Sequence, residues 1–556
     1  MWSIFAVTFP SVYHLKPMDC RALLPQQLPH TTKLFRDYVA DFSKLATFYG
    51  HPPELQQAVV AAKKLEFPAE RRHEVTLILA AQNHGFGSGD AAQKNLERLG
   101  KGAVAIVTGQ QVGLFGGPSF SFYKALSAIH TARQLSADGL EAVPIFWMAT
   151  EDHDLDEVRH TTWFSDGKLS RFELPNQGRA DEPVGRVTLG PEIKELVSEA
   201  TKLLLGPDGS RLSEILLAAY TPEATFGSAF AQLFARVFES EGLILLDPLD
   251  EKLHKLAKPI LLRALEQRDE VNELLLKRGK ALEHAGYAAQ VNVTSTSTVL
   301  FSLEGGQRTV LTSSSNGENL RSGGRTAPRS EWLERVEKNP ELFSPNALFR
   351  PVVQDYLLPT VAYFGGPAEI AYYAQSQVLY DKLLGRMPVI LPRADFTLVD
   401  PKAVRILKKY HLEVEDVWQG KQRLRKRMYG ENVPKKLAQE FDSSLTHMEK
   451  STKRLHKAIA NVDPTIQGTI ARAEKRIYYQ IEKLRQKTGA SLDRHDKIID
   501  KHEEFLENLL YPQKGLQSRD LCFLPFLARW GKPGLKELEQ HASAKQIGLH
   551  FIVPTP

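Results

Sequence analysis

Hydrophobic and polar positions change rhythm most sharply between Gly102 and His160. An apolar run, Val104-Ala-Ile-Val107, enters a glycine-rich loop, and a helix begins near Pro118. A second apolar run, Val143-Pro-Ile-Phe-Trp-Met148, then ends in a cluster of acids. Strand, helix and strand in that order build parallel sheets, whose ligands sit at the strands' carboxyl ends. The rhythm returns downstream. A helical stretch over Phe226–Glu239 leads into Leu243-Ile-Leu-Leu-Asp247, and Phe349–Tyr373 and Met387–Leu398 again read as core.

The flanking segments follow other periods. Residues up to about 100 read as helices, with Leu34, Tyr38, Phe42 and Leu45 at spacings of three and four. Asn83-His-Gly-Phe-Gly-Ser-Gly89 reads as a loop between two helices. Phe164 to Leu189 predicts short strands broken at Asp166-Gly167, Asn176-Gln-Gly178 and Pro183, followed by helices over Glu192–Leu205 and Arg211–Ala219. Residues 250–284 are helical, Gln290–Thr312 alternates as strands do, and Ser313–Ser330 is polar, glycine-rich and expected to be mobile. Gly548–Val553 predicts a late strand.

Between 400 and 512 the chain turns to long charged helices. Phe441, Met448, Leu455 and Val462 recur every seven residues, with Leu445, Thr452 and Ile459 as a second row. Asp463-Pro464 interrupts, and Ile466, Ile470, Ala473, Ile477, Ile481 and Leu484 begin a new series. Two seams joined by a proline turn predict an antiparallel coiled-coil hairpin, and its apolar seam suggests a homodimer. The fold class is therefore α/β: a parallel-sheet core with inserted connecting segments and a C-terminal antiparallel α-helical coiled coil. The expected divisions are 19–163, the first part of the core; 164–222, an insert; 223–398, the second part with a flexible loop at 313–330; 400–512, the hairpin; and 513–556, a return to the core.

Composition narrows the class without naming a reaction. The 556 residues suffice for about two to four domains. A net charge of +5 from 71 basic and 66 acidic residues is small for this length and does not indicate a nucleic-acid binder. The basic residues between Lys421 and Lys457 read as a solvated helix face. Cys20 and Cys522 are too few for a disulfide framework or a cysteine zinc cluster, which points to a reducing cytoplasm. The apolar first residues lack a basic leader and are too short to span a bilayer, so no membrane partner is expected; the start is expected at Met1 or Met18.

Three motifs carry candidate chemistry. In Thr108-Gly-Gln-Gln-Val-Gly-Leu-Phe-Gly-Gly-Pro118, Gly109, Gly113, Gly116 and Gly117 let the backbone turn tightly and approach a ligand closely, and with Gln110 and Gln111 they make this a candidate substrate loop. The following helix start would favour an anion, with Ser119, Tyr123 and Lys124 in its first turns. Glu151-Asp-His-Asp-Leu-Asp-Glu157 places five carboxylates around one histidine, a repulsive arrangement unless a cation or ammonium joins them. Asp152, His153, Asp154 and Asp156 could ligate Mg²⁺ or Mn²⁺. Alternatively the cluster holds a substrate amine, with His153 or Asp154 as general base, or caps a helix N-terminus. The third motif runs from Phe349 to Tyr373. Its Gly365-Gly366-Pro367 followed by Tyr372 echoes Gly116-Gly117-Pro118 followed by Tyr123, which suggests two equivalent corners facing each other across the sheet. Arg350, Gln354, Tyr356 and Glu369, with Arg393 beyond, are candidate substrate contacts; both arginines could grip a carboxylate or phosphate with two prongs. No nucleophile elbow and no zincin motif is present.

These motifs together, Thr108-Gly-Gln-Gln with Gly117-Pro and Tyr123-Lys, Phe146-Trp with Glu151-Asp-His-Asp, and Arg350-Pro-Val-Val-Gln-Asp-Tyr with Gly365-Gly-Pro-Ala-Glu-Ile, resemble the cysteine-adding ligase family of bacillithiol biosynthesis. The resemblance extends from about residue 19 to the end. It implies a Rossmann-like core, connecting inserts akin to those of class I synthetases, and a coiled coil used for dimerisation. It also implies the last step of bacillithiol synthesis, in which cysteine is joined to glucosaminyl-malate through an amide bond. Carboxylates do not condense with amines unaided, so activation by ATP, with Mg²⁺, is an expectation from the chemistry. The roles that follow are catalytic for Asp152, His153 and Asp154. Malate carboxylates would meet Lys124, Arg350 or Arg393, and amines the Glu151 cluster. Two other readings are another amide-forming or nucleotidyl-transferring enzyme on this fold, and a coiled-coil interaction protein with a vestigial core.

Overall fold

The computed structural model describes residues 20–176, 181–314, 317–431, 433–460, 467–492, 497–542 and 548–555. The candidate starts Met1 and Met18, Gln177 and Gly178 of the expected turn, and the Asp463-Pro464 turn with Val462 and Ile466 lie outside these residues. Strands are numbered β1–β15 along the chain. Five of them, β2 (Val104–Gln110), β3 (Ala142–Met148), β6 (Ile244–Leu246), β12 (Thr360–Gly365) and β13 (Val389–Pro392), form an all-parallel sheet in the order β13-β12-β2-β3-β6. Nearly every residue of these strands is buried on both faces, which is why they read as unbroken apolar runs rich in Val and Ile. The chain lays β2, β3 and β6 outward in one direction, then returns to add β12 and β13 on the other side. The order therefore reverses between β2 and β12, where a doubly wound sheet opens its ligand crevice.

Helix α1 (Ala69–Gly85) and helix α2 (Asp90–Gly100) flank the expected glycine loop. Residues at the end of α1 cover the free edge of β6. The Asn83 amide donates to Leu245 O (2.8 Å) and accepts from Leu245 N–H (3.0 Å), and Gln82 makes the same pair of bonds with Asp247. Two side chains thus take the place of a sixth strand and satisfy an edge that would otherwise be open. Helix α3 (Phe120–Ala137) packs on the sheet between β2 and β3.

A hairpin of β4 (His160–Ser165) and β5 (Lys168–Glu173) turns at Asp166-Gly167, both left-handed (φ 49° and 83°), as a two-residue hairpin turn requires. A second sheet is antiparallel, with the order β10-β9-β8-β7-β11: β7 (Ser297–Glu304), β8 (Gln307–Ser313), β9 (Asn319–Ser322), β10 (Arg325–Pro328) and β11 (Phe343–Pro345). Its β9–β10 hairpin lies where a mobile loop was expected. Leu320, Ser322 and Ala327 are buried and their neighbours face outward, so one polar face and the Gly323-Gly324 turn disguise a strand pair as loop. The third sheet joins β1 (Arg21–Leu23), β15 (His550–Pro554) and β14 (Asp395–Val399), so the end of the chain is paired beside its start.

Near the site lie five further helices: α4 (Leu155–Val158), α5 (Phe226–Val237), α6 (Glu251–Glu266), α7 (Arg268–His284) and α8 (Arg350–Leu357). They are followed by α9 (Pro367–Leu379) and by the long pair α10 (Lys435–Ala460) and α11 (Gln467–Leu492). Thr452 reaches Glu474 and Arg485 reaches Asp442, so α10 and α11 run antiparallel. Thr452 is buried, and Phe441, Leu445, Met448 and Ile459 are partly covered, whereas Leu455, Ile477 and Leu484 of the expected seams are exposed. No helix among the described residues is long and apolar enough to cross a membrane.

Replacing Asn83 with Ala removes both bonds to Leu245 and leaves a buried N–H and C=O unpaired. The expected loss is about 2 kcal/mol or more, seen as a lower urea midpoint. Hydrogen exchange at Leu245 should rise above that of β3; unchanged protection there would show that the edge is held by other contacts.

Candidate active site

A cavity of about 660 Å³ opens at the carboxyl ends of β2, β3 and β12, at the point where the strand order reverses. Its floor comes from the parallel sheet and its helices: Gly109, Gln110, Gln111, Lys124, Trp147, Glu151, Asp152, His153, Arg350, Gly366, Glu369 and Arg393 line it. Its roof is α7, the segment 291–293 and the antiparallel sheet, with Val271, Leu275, Val299, Phe301 and Arg308 facing inward.

Lys124 is buried, and its ammonium donates to Gly109 O (2.7 Å), Gln110 Oε1 (2.7 Å) and the Glu369 carboxylate. Three donors meet three acceptors, so Lys124 is committed to the protein and does not reach out to a substrate as the sequence suggested. Burial pushes its pKa down to about 8, against the pull of Glu369. Burial pushes Glu369 upward, but Lys124, the Gly366 N–H (2.8 Å) and the Tyr363 hydroxyl (2.5 Å) outweigh it and hold the carboxyl below its usual range.

The two glycine corners lie side by side, not across from each other, because β2 and β12 are neighbours with Thr108 opposite Phe364. Gly365-Gly366 therefore corresponds in position to Gly109-Gln110, and the Gly116-Gly117 echo is out of register by a whole loop. Gly116 and Gly117 have φ of 88° and 68° and pack away from the cavity; a Cβ on Gly116 would strike Phe122. Nor does the start of α3 present an anion site. The Ser119 N–H and hydroxyl both donate to Leu521 O (2.8 and 2.6 Å), and Tyr123 is buried between Phe396 and Phe523. These residues stabilise the core instead of contacting a ligand.

The acidic cluster divides in the same way. Asp152 lines the cavity and accepts from Gln111 Nε2 (2.7 Å) and from the His153 N–H (2.7 Å). Asp154 caps α4 by accepting from Glu157 N–H, and Asp156 pairs with Arg159 (2.7 Å). The cap reading thus describes Asp154, while Asp152 keeps a ligand-facing place. Among the described residues no three His, Cys, Asp or Glu side chains converge as metal ligands, so the expected Mg²⁺ or Mn²⁺ set is not assembled here.

Arg308 donates to His153 Nδ1 (3.0 Å). An arginine can only donate, so Nδ1 is the acceptor and the hydrogen of a neutral ring sits on Nε2. That removes the ring nitrogen a general base would use. Glu151 is buried, with Oε1 3.4 Å from His254 Nε2. Burial pushes Glu151 up to about 8 despite the nearby arginines, and burial pushes His254 down to about 4.

Arg350 donates to Gln354 Oε1 (2.9 Å) and to the Tyr372 hydroxyl (3.2 Å), so Gln354 orients Arg350 from beneath without lining the cavity. Arg393 pairs with Asp395 (2.7 Å), donates its N–H to Gly365 O (3.0 Å), and leaves its buried Nε without a partner. Tyr356 lies on the far side of α8 beneath Arg71, 3.6 Å from ring to guanidinium, and does not line the cavity. The helix and strands of the roof were legible as elements, but their place over the site, and the parts taken by Arg308 and His254, were not. A lone arginine in an alternating strand carries no motif, and only the tertiary fold brings it over the acids.

A doubly wound parallel sheet with a charged cavity at its switch point defines a Rossmann-like α/β protein of the ligand-binding kind. The family described as bacillithiol biosynthesis BshC matches twice: its N-terminal Rossmann-like domain over residues 18–394 and its C-terminal coiled-coil domain over 396–552. The chain belongs to this family. It is 38% identical over 514 residues to a protein of Koribacter versatilis named "Putative cysteine ligase BshC", covering 92% of this chain and 95% of that one. Same-named proteins of Solibacter usitatus (38% over 517 residues; 92% and 96%) and Staphylococcus carnosus (30% over 510 residues; 88% and 92%) are also similar.

Glu151 makes stability depend on pH with a definite sign. Its folded pKa lies above the unfolded value, so the folded state holds an extra proton between about pH 4.5 and 8, and stability falls as pH rises through that window. Glu151→Gln imitates the protonated acid. It should raise the melting temperature at pH 9, by the equivalent of about a few kcal/mol, and change it little at pH 5. A shift of equal size at both pH values would contradict a buried, protonated Glu151.

Proposed function

We propose that this protein is a carbon–nitrogen ligase that adds cysteine to the amine of glucosaminyl-malate, the last step of bacillithiol biosynthesis. The observation that carries the reading is a switch-point cavity holding a guanidinium without a carboxylate partner, Arg350, opposite an acid, Asp152, that faces the same space. A substrate bearing carboxylates and an amine matches both. The relatives' name supplies the cysteine and the ligase chemistry.

In the reaction the glucosamine nitrogen attacks the cysteine carboxyl carbon, the amide C–N bond forms, one carboxyl oxygen departs and the amine loses a proton. Activation of that oxygen as a leaving group is what ATP would supply. The α3 N-terminus, where such folds hold phosphates, is closed by Leu521, and the acids do not gather around a cation, so no residue is assigned to ATP or Mg²⁺. Arg350, oriented by Gln354 and Tyr372, grips a substrate carboxylate with its planar fork. Asp152, held by Gln111 and the His153 N–H, positions the attacking amine and accepts its proton. His153 serves as a fixed donor through Nε2 instead of as the base. The roof lies over the cavity opposite the sheet, where it would shield the activated carboxyl from water and so limit hydrolysis.

The coiled-coil hairpin completes the proposal as a homodimer contact. Ile477 and Leu484, seven residues apart and so on one side of α11, are exposed, as is Leu455 on α10, and exposed apolar side chains of this kind are what a second copy covers. Location in the cytoplasm follows from the metabolic role.

Two experiments check the reading. Asp152→Asn should cut product formation, followed by mass spectrometry, at least 100-fold, while Asp154→Asn keeps turnover because Asn caps a helix as well as Asp does. Equal turnover in both variants would remove the acid from the chemistry. Thermal shifts with cysteine, glucosaminyl-malate and ATP·Mg²⁺ would separate this ligase from another enzyme on the fold and from an interaction protein; the last would respond to none of them. For the hairpin, light scattering at micromolar concentration should give a dimer that Ile477→Glu with Leu484→Glu converts to monomer. A monomeric wild type would end the dimer reading.

A further inference from the structure

Six cationic side chains line the cavity, and three are neutralised by the protein: Lys124 by Glu369, Arg268 by Asp269 (2.7 Å) and Arg393 by Asp395 (2.7 Å). Of the other three, Arg519 is exposed to solvent, whereas Arg350 and Arg308 are largely covered and make no ion pair within 4 Å among the described residues. Arg350 meets only Gln354, the Tyr372 hydroxyl and the rings of Trp147 and Tyr363 (5.9 and 5.7 Å). Arg308 lies over the Phe301 ring (3.8 Å) and donates to Ser344 Oγ (2.9 Å), Pro345 O (2.9 Å) and His153 Nδ1 (3.0 Å). Every one of these partners is uncharged or holds its charge elsewhere. The carboxylates whose fields reach Arg308 are Glu151 and Asp152, neither close enough to pair with it. Glu151 feels both Arg308 and Arg350, so the two guanidiniums flank one region of the cavity.

Two desolvated guanidiniums without a counter-charge are costly to hold, and the cost is recovered when an anion enters between them. Their neutral partners fix both planar groups in place before a ligand arrives, which reduces the entropy lost on binding. One comes from the Rossmann-like floor at the start of α8 and the other from the roof on β8, so a group with two carboxylates can present one to each guanidinium.

We propose that Arg308 is a specificity-determining residue that, with Arg350, clamps the two carboxylates of a dicarboxylate group. The inference rests on the ligase reading in that the malyl part of the substrate is such a group, and it adds which residues recognise it. It also gives the antiparallel sheet a role: without β8 the site holds one carboxylate, not two.

The test measures binding, so it does not require turnover. Full-length wild type, Arg308→Met and Arg308→Lys are titrated by calorimetry with L-malate and succinate, and with acetate as the single-charge control. The wild type should prefer both dicarboxylates over acetate. Arg308→Met should bind the dicarboxylates roughly 10- to 100-fold more weakly and lose that preference. Arg308→Lys keeps the charge without the fork and should lose severalfold, and it carries the test alone if the Met variant fails to fold. Unchanged L-malate binding in the folded variants, or a wild type with no preference over acetate, overturns the clamp. Arg308-dependent malate binding in a protein that forms no cysteinyl product supports the clamp and sinks only the ligase reading. Product formation with Arg308-independent malate binding does the reverse.

Discussion

The contact between Lys124 and Glu369 lies at the one place where the sheet's strand order reverses, and most of the site follows from it. Lys124 rises from the helix after β2, and Glu369 sits in the first turn of the helix after β12. Together they tie the two corners that bound the crevice. The pair is buried, so either charge alone would cost about 3–5 kcal/mol. Gly109 O, Gln110 Oε1, Tyr363 and the Gly366 N–H saturate the remaining positions, the condition under which a buried pair is tolerable. A consequence is that the lysine nearest the expected anion site is unavailable to ligands. In the proposed reading, recognition of negative charge would pass to Arg350 and Arg308, whose own hydrogen-bond partners are neutral.

This division explains which parts of the site could be seen in sequence. The strand–helix–strand rhythm around Gly102–His160 is a local property, and it placed β2, β3 and the acids correctly. Asp152, Gln110, Gln111, Arg350 and Glu369 follow directly from strand ends or first helical turns, where side chains must face the crevice. What could not be read is how glycines are used. Gly116 and Gly117 look like Gly365 and Gly366 on paper, yet the first pair turns a buried loop beneath Leu521 and the second ends a strand. A repeated Gly-Gly-Pro records a backbone shape, and only the sheet register says where that shape lies.

The roof shows a second limit of local patterns. Strands β9 and β10 are polar on one face and turn through two glycines, so composition alone made them resemble a mobile loop. Their sheet nevertheless carries β8, and β8 carries Arg308. The hairpin likewise obeyed its heptads only in part. Leu455, Ile477 and Leu484 fall on the seam rows by count but on the outside in space, because two helices packed as a pair bury only a narrow stripe.

The contact of Arg308 with His153 links roof and floor chemically as well as sterically. A guanidinium donating to Nδ1 settles the imidazole tautomer, and a ring so held contributes a hydrogen bond in place of a proton-accepting nitrogen. Asp154, the other sequence candidate for the base, is spent on capping α4. In the proposed ligase reaction, proton transfer would therefore fall to the carboxyl groups that face the cavity. These differ in environment: Glu151 is buried against a histidine that burial keeps neutral, and Asp152 is half-exposed and receives two N–H donors. Burial that favours the neutral form of Glu151, together with the arginines around it, reduces the repulsion that the acidic cluster shows on paper.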